Sequence, residues 1–488
     1  MHARKAVAIV VMLVVAVGCG RQQASHRATE VGDDNPAIDA LFASWDRPGS
    51  PGCALAVTQD GKPLYTRGYG YANLDHDIPI TPQTVFDVGS VTKQFVAASI
   101  SMLELEGKLS LDDDVRKWLP ELPDLGKPVT LRHMVYHTSG LRDYLTLFPL
   151  AGRDHYYPIS HVRILDMMSR QRALIFPPGE RHLYSNTAYM LLAQVVERAG
   201  GKTLGEFAQE RMFEPLGMKD SQMYDNREEI IARRATGYDR HGDDDIRMVH
   251  NYNFDVAGDG QLYTTVEDLL RWDDYLHGVR KPAIHAAMLT EGRLDNGEPT
   301  KMARGLVLGT YRDQLTIHHT GSSWGFQSVL MRFVDAGMGI AIACNDGFAD
   351  PEQLAHRVAD HYLADRFSAG SDERDRVDER TDVIGESSSP TPGSPQLAEF
   401  TGAYFSAEID VTYRFAVVGD RLLVRIGQDP PLAVVPVADD RFLISFAEQA
   451  YSGVVTANLA FDRSASGIIS GFSLSSGTEQ GLVFEKQR

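Results

Sequence analysis

Ser90, Val91, Thr92 and Lys93 form a Ser-x-x-Lys tetrad. A serine hydroxyl is a poor nucleophile until a nearby base takes its proton. If Ser90 starts a helix, Lys93 lies one turn on, and its amine can reach the hydroxyl. The helix N-terminus also places positive backbone potential where an oxyanion would form. Alone, the tetrad recurs by chance, and an N-cap serine followed by a surface lysine explains it as well. Tyr184-Ser185-Asn186 follows the turn Pro177-Pro178-Gly179-Glu180. A tyrosine near a lysine ammonium has its phenolate favoured and can act as a general base. Asn186 can offer an amide donor to a substrate carbonyl. The plainer alternative is an Asn cap beside a packing tyrosine. His319-Thr320-Gly321 lies on a predicted strand. Gly321 would let a substrate backbone approach closely. The N–H of Ser322 could then join that of Ser90 as a pair of oxyanion donors. Against this stands an idle, solvated histidine at a strand end.

These residues need elements to hold them. Ser90 to Glu106 carries Val91, Phe95, Ala98, Met102 and Leu105 at helical spacing and stops at Gly107. Asn186 to Ala199 repeats the pattern with Tyr189, Leu192 and Val196, ending at Gly200-Gly201. Thr265-Val266-Glu267-Asp268 reads as a capping box. Cys53 to Val57, the turn Asp60-Gly61 and Pro63 to Tyr65 predict a hairpin. Ile317 to Thr320, Phe326 to Phe333 and Met338 to Cys344 predict three successive strands. Strands at both ends with helices between predict an α/β (α+β) domain, its one sheet closed by both termini and flanked by helices. Residues 368–395 form a linker, first charged, then rich in Ser, Pro and Gly. In 396–488 the pattern becomes short alternating runs: Val411 to Val417, Leu422 to Ile426, Phe442 to Phe446, Val455 to Phe461, Phe472 to Leu474 and Leu482 to Phe484. These predict a small antiparallel β-barrel or sandwich.

The three site segments in this order resemble the serine β-lactamase and penicillin-binding-protein superfamily, in its class C-like branch. That branch includes class C β-lactamases, DD-carboxypeptidases, D-aminopeptidases and related esterases. The likeness extends through Phe86 to Lys93, Thr130 to Leu141 (with His137-Thr138-Ser139-Gly140), Tyr184 to Tyr189, Phe213 to Met218 and Gly258 to Leu262. It covers residues 37–367. It implies that Ser90 is acylated, that Lys93 and Tyr184 move protons, and that Asn186, His319, Thr320 and Gly321 bind substrate. The backbone of Ser90 and Ser322 would form the oxyanion site, and His137 would be structural. Class C β-lactamases have Lys-Thr-Gly where this chain has His319-Thr320-Gly321. Histidine is mostly neutral at pH 7 and a weaker attractor of a substrate carboxylate. Peptidase and esterase members commonly show His here. The implied function is therefore a serine hydrolase of peptide, amide or ester substrates. The alternatives are a class C-like β-lactamase and a non-catalytic binding protein that keeps the fold. The C-terminal domain resembles the lipocalin-like tails of some related serine peptidases and would restrict substrate size at the site rim. The resemblance makes the strands of Cys53 and Cys344 antiparallel neighbours, leaving both a disulfide and two buried thiols open.

The chain has 488 residues and a formal charge of −18, with 43% apolar and 23% charged residues. This length predicts two or three domains at ~100–200 residues each. The composition excludes wholesale disorder. The acidic balance argues against nucleic acid as a partner. Three cysteines exclude a disulfide framework. No Cys/His spacing supports a metal, and the chemistry calls for no cofactor. Gly321-Ser322-Ser323-Trp324-Gly325 matches a nucleophile elbow, but a strand, not a helix, follows it. Residues 1–18 read as a lipoprotein-type signal peptide: Arg4 and Lys5, then 13 uncharged residues from Ala6 to Gly18. That run is short of the ~20 a membrane-spanning helix needs. Ala16-Val17-Gly18-Cys19 resembles a lipoprotein cleavage box, and cleavage ahead of Cys19 would leave it acylated, with residues 19–36 as a tether. Ala16 departs from the usual large aliphatic residue of such a site. The alternative is an ordinary secretory signal with an incidental cysteine. The expected location is the periplasmic side of a bacterial membrane, lipid-anchored.

Overall fold

The computed structural model describes residues 34–153, 157–240, 245–249, 254–277, 282–367, 397–446 and 455–488. The predicted signal segment, Cys19 and the whole of the linker lie outside the described residues.

Seven strands build the main sheet: β1 (Cys53–Gln59), β2 (Lys62–Tyr69), β3 (Met302–Ala303), β4 (Leu306–Tyr311), β5 (Gln314–Ser323), β6 (Phe326–Phe333) and β7 (Met338–Cys344). Their order is β3-β4-β5-β6-β7-β1-β2. The β1–β2 hairpin turns where the sequence marks it, with positive φ at both Asp60 (51°) and Gly61 (74°), as a primed turn requires. The last strand, β7, pairs antiparallel with β1, and Cys53 faces Cys344 directly. Their sulfurs are bonded, so of the two readings left open by the sequence it is the disulfide that the structure contains.

Successive β1 side chains alternate between two apolar layers. Cys53, Leu55 and Val57 pack with Ile340, Ile342, Leu354 and Val358. Ala54 and Ala56 join Ala341, Ala343, Phe95 and Trp272 on the opposite face. The small residues on that second face let helices come close. The helices that bear on the site and the sheet include α1 (Lys93–Leu105), α2 (Tyr144–Leu150), α3 (Asn186–Gly200), α4 (Val266–His277) and α5 (Pro351–Tyr362). Helix α1 is buried from Lys93 to Leu103, which explains its nearly all-round apolar sequence. The capping box at α4 is half built. Thr265 Oγ accepts the Asp268 N–H at 3.1 Å, but the Asp268 carboxylate accepts from Asp220 N–H and Ser221 Oγ instead.

The C-terminal part closes into a barrel of eight strands: β8 (Gly402–Ser406), β9 (Val411–Val418), β10 (Arg421–Ile426), β11 (Leu432–Ala438), β12 (Arg441–Phe446), β13 (Val455–Arg463), β14 (Ile469–Ser476) and β15 (Glu479–Lys486). Strands β8 and β11 had no counterpart in the alternation pattern. β8 is short, and Pro436 interrupts β11 at a register shift. Aromatic rings fill the interior: Phe472 stacks on Phe484 at 4.4 Å, with Tyr404 and Phe415 edge-on to Phe472 and Phe461 tilted against it. The barrel's apolar core is continuous with that of the helical layer. At the junction the Tyr413 hydroxyl donates to Leu150 O at 2.7 Å.

Candidate active site

Two glycines allow a close approach on which the site depends. Gly89 has φ 48°, and a Cβ there would lie 2.6 Å from Ser322 O and 2.7 Å from Ser322 N. A Cβ on Gly321 would lie 1.9 Å from Val88 O. The turn entering α1 therefore presses against the end of β5, bringing the backbones around Ser90 and Ser322 together. Ser90 sits in a single 3₁₀ turn, Gly89–Thr92, ahead of α1 instead of at its first residue. Buried Asp87 pins this turn, accepting from Gly89 N–H (2.9 Å), Ser323 Oγ (2.6 Å) and Gln261 Nε2 (3.2 Å). Burial pushes its pKa up to about 6, against the pull of these bonds. Ser323, the elbow look-alike, is thus an anchor for Asp87.

Lys93 is fully buried. Its Nζ lies 2.9 Å from Ser90 Oγ, 3.0 Å from Asn186 Oδ1 and 2.7 Å from the backbone oxygen of Asp259. As an ammonium it donates to all three. As a neutral amine it keeps two N–H groups on the two carbonyl oxygens, which can only accept, and the lone pair then falls to Ser90 Oγ. Lys93 also stands 4.8 Å from the centre of the Tyr184 ring. Asp259, buried nearby, has its pKa pushed up to about 6 by burial, with Lys93 opposing.

His137 holds Tyr184 from below and on both sides. Its ring stacks on the tyrosine at 4.4 Å. Its carbonyl accepts the Leu183 N–H at 2.8 Å, and its Nδ1 accepts the Ser185 N–H at 3.0 Å. Burial lowers its pKa far below the usual imidazole range. It is therefore neutral, with the proton on Nε2. Its backbone is left-handed, φ 56°. Ser185, not Asn186, caps α3 by accepting the Ala188 N–H. Asn186 is freed for Lys93, and its own N–H donates to Asp143 Oδ2 at 2.6 Å.

His319 on β5 is buried, its ring centre 6.1 Å from that of Tyr184. Its Nδ1–H donates to Thr320 O at 2.6 Å. Burial, with Lys93 adding to it, pushes its pKa down to about 3, so it contributes no cation. Gly321 is buried in the same strand end, Thr320 is half-buried, and Ser322 is exposed. Among the described residues no group of three His, Cys, Asp or Glu side chains converges as a metal site.

The structure thus brings Ser90, Lys93, Tyr184, Asn186, His319 and the Gly321-Ser322 backbone into one place. Sequence reasoning missed Asp87, Asp143 and Asp259, and the grip of His137 on Tyr184. Asp87 and Asp259 lie inside segments already singled out by resemblance. Asp143 stands just beyond another, and no local pattern marks it.

Residues 38–363 match the β-lactamase family model. The chain belongs to the β-lactamase family. Among its relatives is penicillin-binding protein 4* of Bacillus subtilis (strain 168), 30% identical over 412 residues, 80% of this chain and 87% of that protein. A D-aminopeptidase of Gluconobacter oxydans is 28% identical over 313 residues, 63% of this chain and 58% of that enzyme. In fold the chain is similar to the octameric penicillin-binding protein homologue of Pyrococcus abyssi (TM-score 0.58, 22% identity, 92% of this chain and 98% of that one). It is likewise similar to a D-amino acid amidase of Ochrobactrum anthropi (TM-score 0.57, 23% identity, 68% of this chain and 99% of that one). This member of the β-lactamase family is a serine hydrolase, with the Ser-x-x-Lys pair in hydrogen-bonding contact.

Proposed function

We propose that the chain is an exported, lipid-tethered hydrolase that cleaves D-amino-acid peptides, amides or esters through an acyl-enzyme at Ser90. The observation that carries this reading is the sharing of the Lys93 amine between Ser90 Oγ and two carbonyl acceptors. Lys93, with Tyr184, takes the Ser90 proton as Oγ bonds to the substrate carbonyl carbon. The Ser90 and Ser322 N–H groups hold the resulting oxyanion. The proton then passes to the leaving nitrogen or oxygen as its bond to carbon breaks. Water then attacks the acyl carbon and gives a proton to the same pair, which passes it to Ser90 Oγ as the carbon–Oγ bond breaks and the acid leaves. Asn186, its carbonyl end taken by Lys93, presents its NH₂ end to substrate.

The D-aminopeptidase and amidase relatives support the substrate class. Neutral His319 supports peptidase or esterase work over β-lactam turnover, since it offers no cation to the β-lactam carboxylate. The Cys53–Cys344 bond supports an oxidising compartment. A fluorophosphonate probe should label the full chain and leave Ser90→Ala unlabelled. D-alanine p-nitroanilide should be cleaved in preference to its L-isomer. Nitrocefin turnover well above background would favour the β-lactamase alternative, and no Ser90-dependent adduct would favour a binding protein. Cys19→Ser should release the protein from the membrane fraction; retention there would refute the anchor.

A further inference from the structure

The two carbonyl acceptors that orient Lys93 are both held by one short segment, Arg142-Asp143-Tyr144. Asp143 Oδ2 accepts the Asn186 N–H at 2.6 Å. The Tyr144 N–H donates to Thr187 Oγ at 2.8 Å, next in α3. The Tyr144 hydroxyl donates to Asp259 Oδ2 at 2.9 Å, and the Asp259 backbone oxygen is the second Lys93 acceptor.

That segment is itself gripped by the barrel. Glu479, the first residue of β15, accepts the Asp143 N–H on Oε1 at 2.8 Å. Its other oxygen lies 3.8 Å from Arg142 Nε. The Arg142 guanidinium donates to Glu408 Oε2 and, at 2.9 Å, to the backbone oxygen of Gln480. Gln171, which accepts from Arg142, donates in turn to Glu408 O at 3.1 Å. Arg142, Glu408 and Glu479 are all buried. Most of the buried polar atoms here are hydrogen-bonded, while Arg142 Nε and Glu479 Oε2 face each other beyond hydrogen-bond range. Burying so many polar groups is tolerable only in a fixed arrangement.

We propose that Glu479 and Glu408 of the barrel are positioning residues for catalysis: through Arg142 and Asp143 they fix Asn186 and Asp259, and hence the direction of the Lys93 amine toward Ser90. This rests on the reading of Ser90 as an acylated nucleophile. The barrel then completes the active site from behind, a different task from screening substrates at the rim. Burial, with Asp143 opposite, pushes the Glu479 pKa up to about 8. At neutral pH it is a protonated acceptor, which a glutamine amide can imitate.

The test compares rates of Ser90 labelling by a fluorophosphonate in the full chain at pH 7 for wild type, Glu479→Ala, Glu479→Gln and Val434→Ala. The last trims a buried side chain in β11 and controls for lost barrel stability alone. Melting temperature is measured for each. The expected result is a fall of at least about tenfold for Glu479→Ala, recovery to within about threefold for Glu479→Gln, and little change for Val434→Ala, since small misplacements of a catalytic group carry such losses. If Glu479→Ala does not fold, Glu408→Gln takes its place and should slow labelling likewise. Unchanged labelling in the Glu479→Ala or Glu408→Gln variant would overturn the proposal. An equal loss in Val434→Ala would reduce the barrel to a stabiliser and overturn it too. Absence of Ser90-dependent label in the wild type would instead remove the acyl-enzyme reading, and the proposal with it.

Discussion

At the scale of residues, the reactive serine is the easy part, and the difficulty lies in aiming an amine at it. Two carbonyl oxygens dictate which direction remains for Lys93. Replacing Lys93 by Ala should lower acylation by about 10²–10⁴-fold, the usual worth of a positioned general base, with stopped-flow labelling as the measure. His137→Asn keeps a residue type that tolerates positive φ but removes the ring beneath Tyr184. We expect kcat on a D-amino-acid ester to fall about tenfold or more, with KM little changed. Ser90, Lys93, Tyr184 and Asn186, which the structure places together, stood out in the sequence through the family resemblance that their types and order carry. Asp143 and Asp259 did not, because a carboxylate that acts through another residue leaves no local signature. Aspartate is also common in so acidic a chain.

At the scale of elements, long apolar strands announced themselves, and β1, β6 and β7 lie where their runs predict, whereas β2 runs from Lys62 to Tyr69 and the sequence predicts only Pro63 to Tyr65. β5 was legible only in part, since it runs from Gln314 to Ser323 and not only from Ile317 to Thr320. Its polar end could be understood only once it was packed against the Gly89 turn. Strands β8 and β11 escaped because one is short and the other carries Pro436. The glycine contact between β5 and the Ser90 turn yields a sharp expectation. Gly321→Ala would drive a methyl group into Val88 O, separating the two walls that carry the N–H groups proposed to hold the oxyanion. Ester hydrolysis should fall by at least about 10²-fold, the loss typical for one such donor, while the circular dichroism spectrum stays that of the wild type.

At the scale of the whole molecule, pH response separates the two halves of the chain. Asp87, Asp259 and Asp273, each raised to about 6, favour the fold at low pH and lose that contribution as pH rises through 4 to 6. His318 and His319, lowered to about 4 and about 3, act oppositely. The unfolded chain binds their protons below pH 6.5, so their contribution is lost as pH falls. Glu479 is protonated when folded and ionised when unfolded up to about pH 8. Its own contribution should decline between pH 6.5 and 8 by up to about 1.4 kcal/mol per pH unit, against the opposite drift of the lowered histidines. Calorimetric scans should show the melting temperature of the wild type falling relative to that of Glu479→Gln from pH 6.5 to 8. A separate expectation concerns Cys53–Cys344, which closes a span of 291 residues. Its loss in a Cys53→Ala/Cys344→Ala variant should lower the melting temperature by several degrees, since long loops gain most from closure. The unreduced intact mass should be two hydrogens light.

The pairing of β1 with β7 also has a meaning in time. A ribosome adding about 5–20 residues per second delivers Cys344 some 15–60 s after Cys53, given their separation of 291 residues. Throughout that interval the Cys53-Ala54-Leu55-Ala56-Val57 strand has its β2 neighbour and nothing on its other edge. A newborn chain so built leaves that edge of the sheet unpaired until nearly all of its hydrolase half has been made.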